Sequence, residues 1–131
     1  MRLLLDTHIW LWGLLDPSKL ARRVVRALEA AENELWLSPI STWEALVLIE
    51  KGRVVIDRDP RRWMAEVWQA APLREAPLTQ DVAVQSRFLD LPHQDPADRF
   101  LAATAKVYGL TLVSADERLL RSSEFATLAN R

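Results

Sequence analysis

Residues 2–6 read RLLLD and residues 7–10 continue THIW. Arg2 to Leu5 is too short and too uniformly apolar to carry a period, and the acid and threonine after it punctuate it. It reads as a strand of the parallel type, buried on both faces. A charged side chain closing such a strand raises a question, because burying an ionised carboxylate is costly unless something compensates it. Asp6 is either the cap of a helix that starts near His8 or one piece of a reactive site assembled from further along the chain.

Three other short runs resemble the first: ELWLS (34–38), LREAPL (73–78) and LTLVS (110–114). Between them the periodicity predicts helices over 8–15, 18–31, 41–51, 60–71, 79–89 and 96–108, with another beginning at 115–120. In the second of these, Leu20, Val24, Leu28 and Ala31 share a stripe while Arg22, Arg23, Arg26 and Glu29 lie elsewhere. Gly52 and Gly109 stand where a left-handed residue ends a helix, and Asp59 before Pro60 makes a cap and first-turn pair. The last ten residues show no clear pattern. Strands alternating with helices, with no repeat or linker, give a single α/β domain over 1–131 with a largely parallel sheet.

At 131 residues, half of them hydrophobic and 27% charged, the chain has the composition of a soluble globular domain with one core. The lack of cysteine excludes a disulfide framework and a thiolate metal site. No apolar stretch approaches the ~20 residues that span a bilayer, and the N-terminus lacks signal-peptide features, so a cytoplasmic location is expected. A net charge of −1 argues neither for nor against a nucleic-acid partner, since charges can segregate into patches. Six tryptophans are many for this length, and any that lie outside the core would need a partner to cover them.

Each later strand or loop also leads to acids. Ser41 and Glu44 have the spacing of a capping box after the second strand. Asp95 caps with Pro96 as first helical residue and Asp98 third, and Ser114 precedes Asp116 and Glu117. Taken singly, each acid is explained by the helix dipole and free N–H groups, worth about 0.3–1 kcal/mol at exposed sites. Together they fall at the carboxyl ends of the strands, the edge where open α/β sheets bind ligands. Carboxylates gathered there repel one another and need a compensating cation. Oxygen donors without cysteine favour a hard divalent ion, Mg²⁺ or Mn²⁺, able to activate water against a phosphate.

The segments LLLDTHIWLW (3–12), LSPISTWEALVLIEKGRV (37–54) and PHQDPADRFLAATAKVYGLTLVSADERL (92–119) resemble the PIN-domain ribonucleases, specifically the VapC toxins of toxin–antitoxin pairs. The resemblance runs from Leu4 to about Leu120. It implies a three-layer α/β/α sandwich with a central, mostly parallel sheet of four to five strands. It also implies Mg²⁺-dependent endoribonuclease activity leaving 5′-phosphate and 3′-hydroxyl ends, a homodimer, and inhibition by a VapB-like antitoxin. The family's acids carry over onto Asp6, Glu44, Asp98 and Asp116. On that basis Asp6 and Asp98 are expected to hold the metal, Glu44 to orient or deprotonate the attacking water, and Asp116 to reach the metal directly or through water. Thr7, Asp95 and Ser114 are expected first as helix caps, Asp95 holding Asp98 in place; the alternative is that Thr7 and Ser114 also hydrogen-bond a carboxylate or phosphate and that Asp95 supports or joins the metal ligands.

His8 and His93 are a candidate acid/base pair that a metal-assisted mechanism does not need. Arg58, Arg61 and Arg62 crowd a helix start, where the dipole disfavours cations, which makes them the candidate RNA contacts. Trp10 and Trp12 point in different directions on the first helix; one is expected in the core and the other in a groove for the antitoxin or at a dimer face. Trp36, Trp43, Trp63 and Trp68 are expected to pack in the core. Haloacid-dehalogenase-like phosphatases also begin with a strand ending in Asp, but they require a second Asp where His8 stands. With three glycines and no glycine-rich loop, a nucleotide-binding module is disfavoured. The remaining alternatives are a PIN nuclease of RNA processing or repair without an antitoxin, and a non-catalytic interaction domain.

Overall fold

The computed structural model describes residues 1–92 and 94–131; the expectation for His93 lies outside the described residues. Five strands, β1 (Arg2–Leu5), β2 (Glu34–Leu37), β3 (Leu73–Glu75), β4 (Thr111–Ser114) and β5 (Thr127–Ala129), form one sheet in the order β3-β2-β1-β4-β5. Every pairing is parallel, with Leu3 opposite Leu35 and Thr111. Among the described residues seven α-helices surround it: α1 (Thr7–Leu15), α2 (Arg22–Glu29), α3 (Pro39–Glu50), α4 (Pro60–Ala70), α5 (Gln80–Phe88), α6 (Pro96–Tyr108) and α7 (Glu117–Leu120).

The continuous apolar run of β1 is explained by cover on both faces. Leu3 and Leu5 enter a core with Ile9 and Trp10 of α1, Val24 of α2 and Trp63 and Val67 of α4. Leu4 points the other way, into a core with Val82 of α5, Leu101 of α6 and Leu119 of α7. The period-2 alternation of a strand therefore supplies both layers of the sandwich, and each fully buried leucine contributes about 1.5–3 kcal/mol. The three-layer arrangement expected from the sequence is the one observed, with the sheet wholly parallel.

Several boundaries differ from expectation. The segment 18–31 is two pieces, a 3-10 turn at Pro17–Lys19 and then α2, because Leu20 and Ala21 are extended and Ala21 N–H is taken by Asn130 Oδ1 at 2.6 Å. The helix expected from Ser41 starts at Pro39, with Ser38 as its cap accepting from Ile40 N–H, so Ser41 and Glu44 form no capping box. Ser114 is not a cap either: Asp116 caps α7. The C-terminal residues without a pattern contain β5. Gly52 and Gly109 do adopt positive φ, 72° and 64°, and end α3 and α6 as the lack of a Cβ allows.

Candidate active site

The strand order fixes where a site can form. From β1 the chain moves outward through β2 to β3, then crosses back to β4 on the other side of β1, so the order reverses between β1 and β4. A crevice opens outside the carboxyl ends of strands at such a point. Asp6 follows β1 there, its N–H still paired to Val113 O at 3.0 Å, and Asp116 follows β4. The cleft at this edge, about 270 Å³, is lined by Asp6, Glu44, Asp95, Asp98, Asp116 and by His8, Trp12, Ala115 and Arg118.

All four acids singled out in the sequence, and Asp95, thus share one cleft. Asp6 is 8% exposed. Its carboxylate accepts from Thr7 N–H and from the Ser114 hydroxyl, both at 2.7 Å. Burial nevertheless pushes its pKa up, against those two hydrogen bonds. Glu44 reaches across from α3 to accept from the Thr7 hydroxyl at 2.5 Å, and Ser41 Oγ lies 2.9 Å from the same oxygen. Burial raises Glu44 as well, with Asp6 and Asp95 adding to it. Asp98 opens α6, its N–H donating to the cap Asp95 at 3.2 Å. Burial first, then Asp6, Asp95, Asp116 and Glu44, push its carboxyl up to about 7. Asp116 accepts from Arg118 N–H at 2.9 Å, and the Arg118 guanidinium lies 3.3 Å from its second oxygen.

Thr7, Asp95 and Ser114 therefore stand beside the acids, Thr7 and Ser114 each bonded to a carboxylate and Asp95 as the cap of α6. Arg58, Arg61 and Arg62 do not line the cleft. Arg58 pairs with Asp57 and Glu66, Arg61 with Asp59 at 3.9 Å, and Arg62 with Glu66 at 3.1 Å, which answers the dipole argument that singled them out. Trp10 enters the core, its ring centroid 6.4 Å from that of Trp63. Trp12 is half-buried on the cleft wall, tilted against His8 at 5.7 Å. Trp43 corrects the expectation of core packing: it is 58% exposed on α3. Trp36 is also only half-buried, stacked on Tyr108 beneath Arg2 and Arg74.

Two arginines at or beside the cleft do not stand out in the sequence. Arg118 is the arginine of the cleft; its only sequence signal is its place two residues after an acid at a strand end. Arg99, 4% exposed, follows Asp98 and donates from Nε to Ser86 O at 2.7 Å and from a terminal nitrogen to Leu89 O at 2.8 Å. These carbonyls end α5, so a buried guanidinium ties α5 to the first turn of α6. Its signal was an arginine three and four residues before Ala102 and Ala103, on the buried stripe of α6.

The donor set fits a hard divalent cation in kind: five carboxylates, no sulfur, and one arginine against them. Among the described residues no group of three or more acidic or histidine side chains stands close enough together to hold a metal ion by itself. Among the described residues, no helix is long and apolar enough to cross a membrane.

The PIN domain family model matches residues 3–124. Ribonuclease VapC22 of Mycobacterium tuberculosis is 34% identical over 119 residues, 88% of each chain. Among solved structures, VapBC2 from Rickettsia felis bound to a DNA fragment from its promoter superposes with a TM-score of 0.71 at 15% identity, over 98% of each chain. A toxin–antitoxin complex from Klebsiella pneumoniae gives 0.69 at 21% identity, over 98% of this chain and 97% of the other. At those identities the superpositions speak for the fold alone. Sequence match and fold coincide over nearly the whole length: the chain belongs to the PIN-domain family and is of the VapC type.

Proposed function

We propose that this protein is a Mg²⁺-dependent endoribonuclease, the toxin of a VapBC-type pair, hydrolysing RNA phosphodiester bonds. The observation that carries the reading is the gathering of Asp6, Glu44, Asp98 and Asp116 in one cleft at the switch point of a parallel sheet, where burial and mutual repulsion hold Asp98 up at about 7. Such a cluster is anionic beyond what Arg118 offsets, and a divalent cation answers it.

Asp6 and Asp98 would hold the ion, with Mn²⁺ as a substitute, and Asp116 would reach it directly or through water. When bound, the ion supplies charge neutralisation for the phosphodiester and a water of lowered pKa. Thr7 orients the Glu44 carboxylate, which takes the proton of the attacking water. In-line attack at phosphorus breaks the P–O3′ bond, leaving a 5′-phosphate and a 3′-hydroxyl. Ser114 fixes Asp6, and Asp95 fixes the turn that presents Asp98.

The name of VapC22 and the toxin–antitoxin complexes among the structural neighbours support an antitoxin as partner; a cytoplasmic homodimer belongs to the same proposal and rests on the family resemblance alone. The antitoxin's apolar segment is assigned to the surface of α1, where Trp12 is half open on one side and Trp10 lines a separate apolar cleft on another. Incubating the purified protein with total RNA, with Mg²⁺ or with chelator, and mapping the ends tests the reading. Cuts that require Mg²⁺ and vanish in Asp98→Asn are expected; metal-independent cuts, or none, reject it.

A further inference from the structure

Beside the acid cleft lies a larger groove of about 520 Å³, and the two share a wall, because His8 and Trp12 line both. The groove runs from Trp12 past Lys19 to Arg53, with Leu48 and Val54 as an apolar side and Asp16 at one margin. Lys19 Nζ stands 5.7 Å from the centroid of the Trp12 ring. Among the described residues neither Lys19 nor Arg53 has a carboxylate partner, in contrast to the paired Arg58, Arg61 and Arg62. The Asp16 carboxylate is engaged by the Ser18 hydroxyl at 2.6 Å.

An RNA backbone is repelled by the acid cleft itself, so cations beside the cleft have to hold the strand. Those cations stand in this groove, together with a half-open aromatic face continuous with the catalytic wall. We propose that the groove is the subsite for the single-stranded RNA flanking the cleaved bond, with one base against Trp12 and neighbouring phosphates on Lys19 and Arg53. The proposal rests on the ribonuclease reading and adds the residues that hold the strand beside the cut. Stacking requires an unpaired base, whereas an A-form duplex keeps its bases stacked on each other, so loops and unpaired segments are selected over paired ones. Ring face and charge carry no base-edge readout, so this subsite is tolerant of sequence. A protein segment that covers Trp12 competes with the strand.

The test uses full-length protein carrying Asp98→Asn, which binds without cutting, and a fluorescent unstructured RNA read by anisotropy across a salt series. Trp12→Ala weakens binding roughly 5- to 150-fold, the range of one base–aromatic stack, and Trp12→Phe restores part of it. Lys19→Ala with Arg53→Ala lowers the slope of log Kd against log salt by about 1.4, two phosphates' worth for a single strand. Thermal midpoints close to the parent's confirm that each variant folds. If the parent binds and the wild type cuts while these variants keep affinity and slope, the subsite falls and the nuclease reading stands. If the wild type neither binds nor cuts RNA, the nuclease reading itself falls. Loss of binding to a protein partner with RNA affinity unchanged assigns the groove to that partner and overturns the proposal.

Discussion

The Ser114 hydroxyl donates to Asp6 Oδ2 at 2.7 Å, joining the end of β4 to the end of β1 across the switch point. Ser114 Oγ in turn accepts from Asp116 N–H at 3.0 Å, so one fully buried side chain holds one acid and starts the turn of another. Ser114→Ala leaves Asp6 with one hydrogen-bond donor fewer in a buried place, a cost of about 1–3 kcal/mol. Because partners of metal ligands commonly matter 10- to 100-fold, cleavage is expected to fall by about that factor. Urea unfolding and initial rates measure the two; an unchanged rate would detach Ser114 from the site.

Asp6→Asn and Asp98→Asn remove charge with little change of shape. Each is expected to keep the circular dichroism of the parent and to lose more than about 100-fold in Mg²⁺-dependent cleavage, beyond what a ligand's partner costs. In both, relief of repulsion among the acids leaves the metal-free thermal midpoint equal or higher. A midpoint lowered by many degrees would show that the acid holds the fold instead.

The raised carboxyls set a pH dependence. Asp98 in the folded protein stands at about 7 against an ordinary 3.8, so between those values the folded form keeps a proton that the unfolded chain has released. Stability from this group is therefore present at low pH and lost as pH rises toward 7, and Asp6 and Glu44 act in the same direction. The size is reduced by solvent reaching Asp98. The metal-free midpoint should fall from pH 5 to pH 7.5, Asp98→Asn should flatten the fall, and Mg²⁺ should raise the midpoint more at pH 7.5 than at pH 5. A metal-free midpoint that rises over this range contradicts the argument.

Arg58 and Arg62 share Glu66 on exposed surface, pairs worth little to stability. With their charge met locally, Arg58→Gln and Arg62→Gln together should change the salt slope of RNA binding less than Lys19→Ala with Arg53→Ala does. A larger change would restore this cluster as an RNA contact. Anisotropy over the same salt series decides it.

The central strands were legible because a parallel strand covered on both faces must be an unbroken apolar run, as RLLL and LTLV are. β5 was not, because Thr127–Ala129 is a three-residue edge with a single buried side chain, too short for any period. The acids could be chosen from their places at strand ends, but their supports could not. Ser41 and Glu44 have the spacing of a capping box, and only the start of α3 at Pro39 turns Ser41 and Glu44 toward Thr7 instead. Trp43 misled because a tryptophan is usually covered. Arg118 and Arg99 were hidden because an arginine is normally read as surface: the place of Arg118 two residues after Asp116 does not show that it turns into the cleft, and the α5 carbonyls that Arg99 meets lie in a different helix.

Arg99 does not line the cleft, yet it fastens the helix that presents Asp98 by filling the open carbonyls of α5. A lysine lacks the planar fork that reaches several carbonyls at once, and alanine leaves both the carbonyls and a void behind. An alanine scan scored only by cleavage would place Arg99 among the chemical groups. Scored together with hydrogen exchange at the end of α5, it would be recognised as the joint between two helices, and the loss of cleavage as a failure of aim.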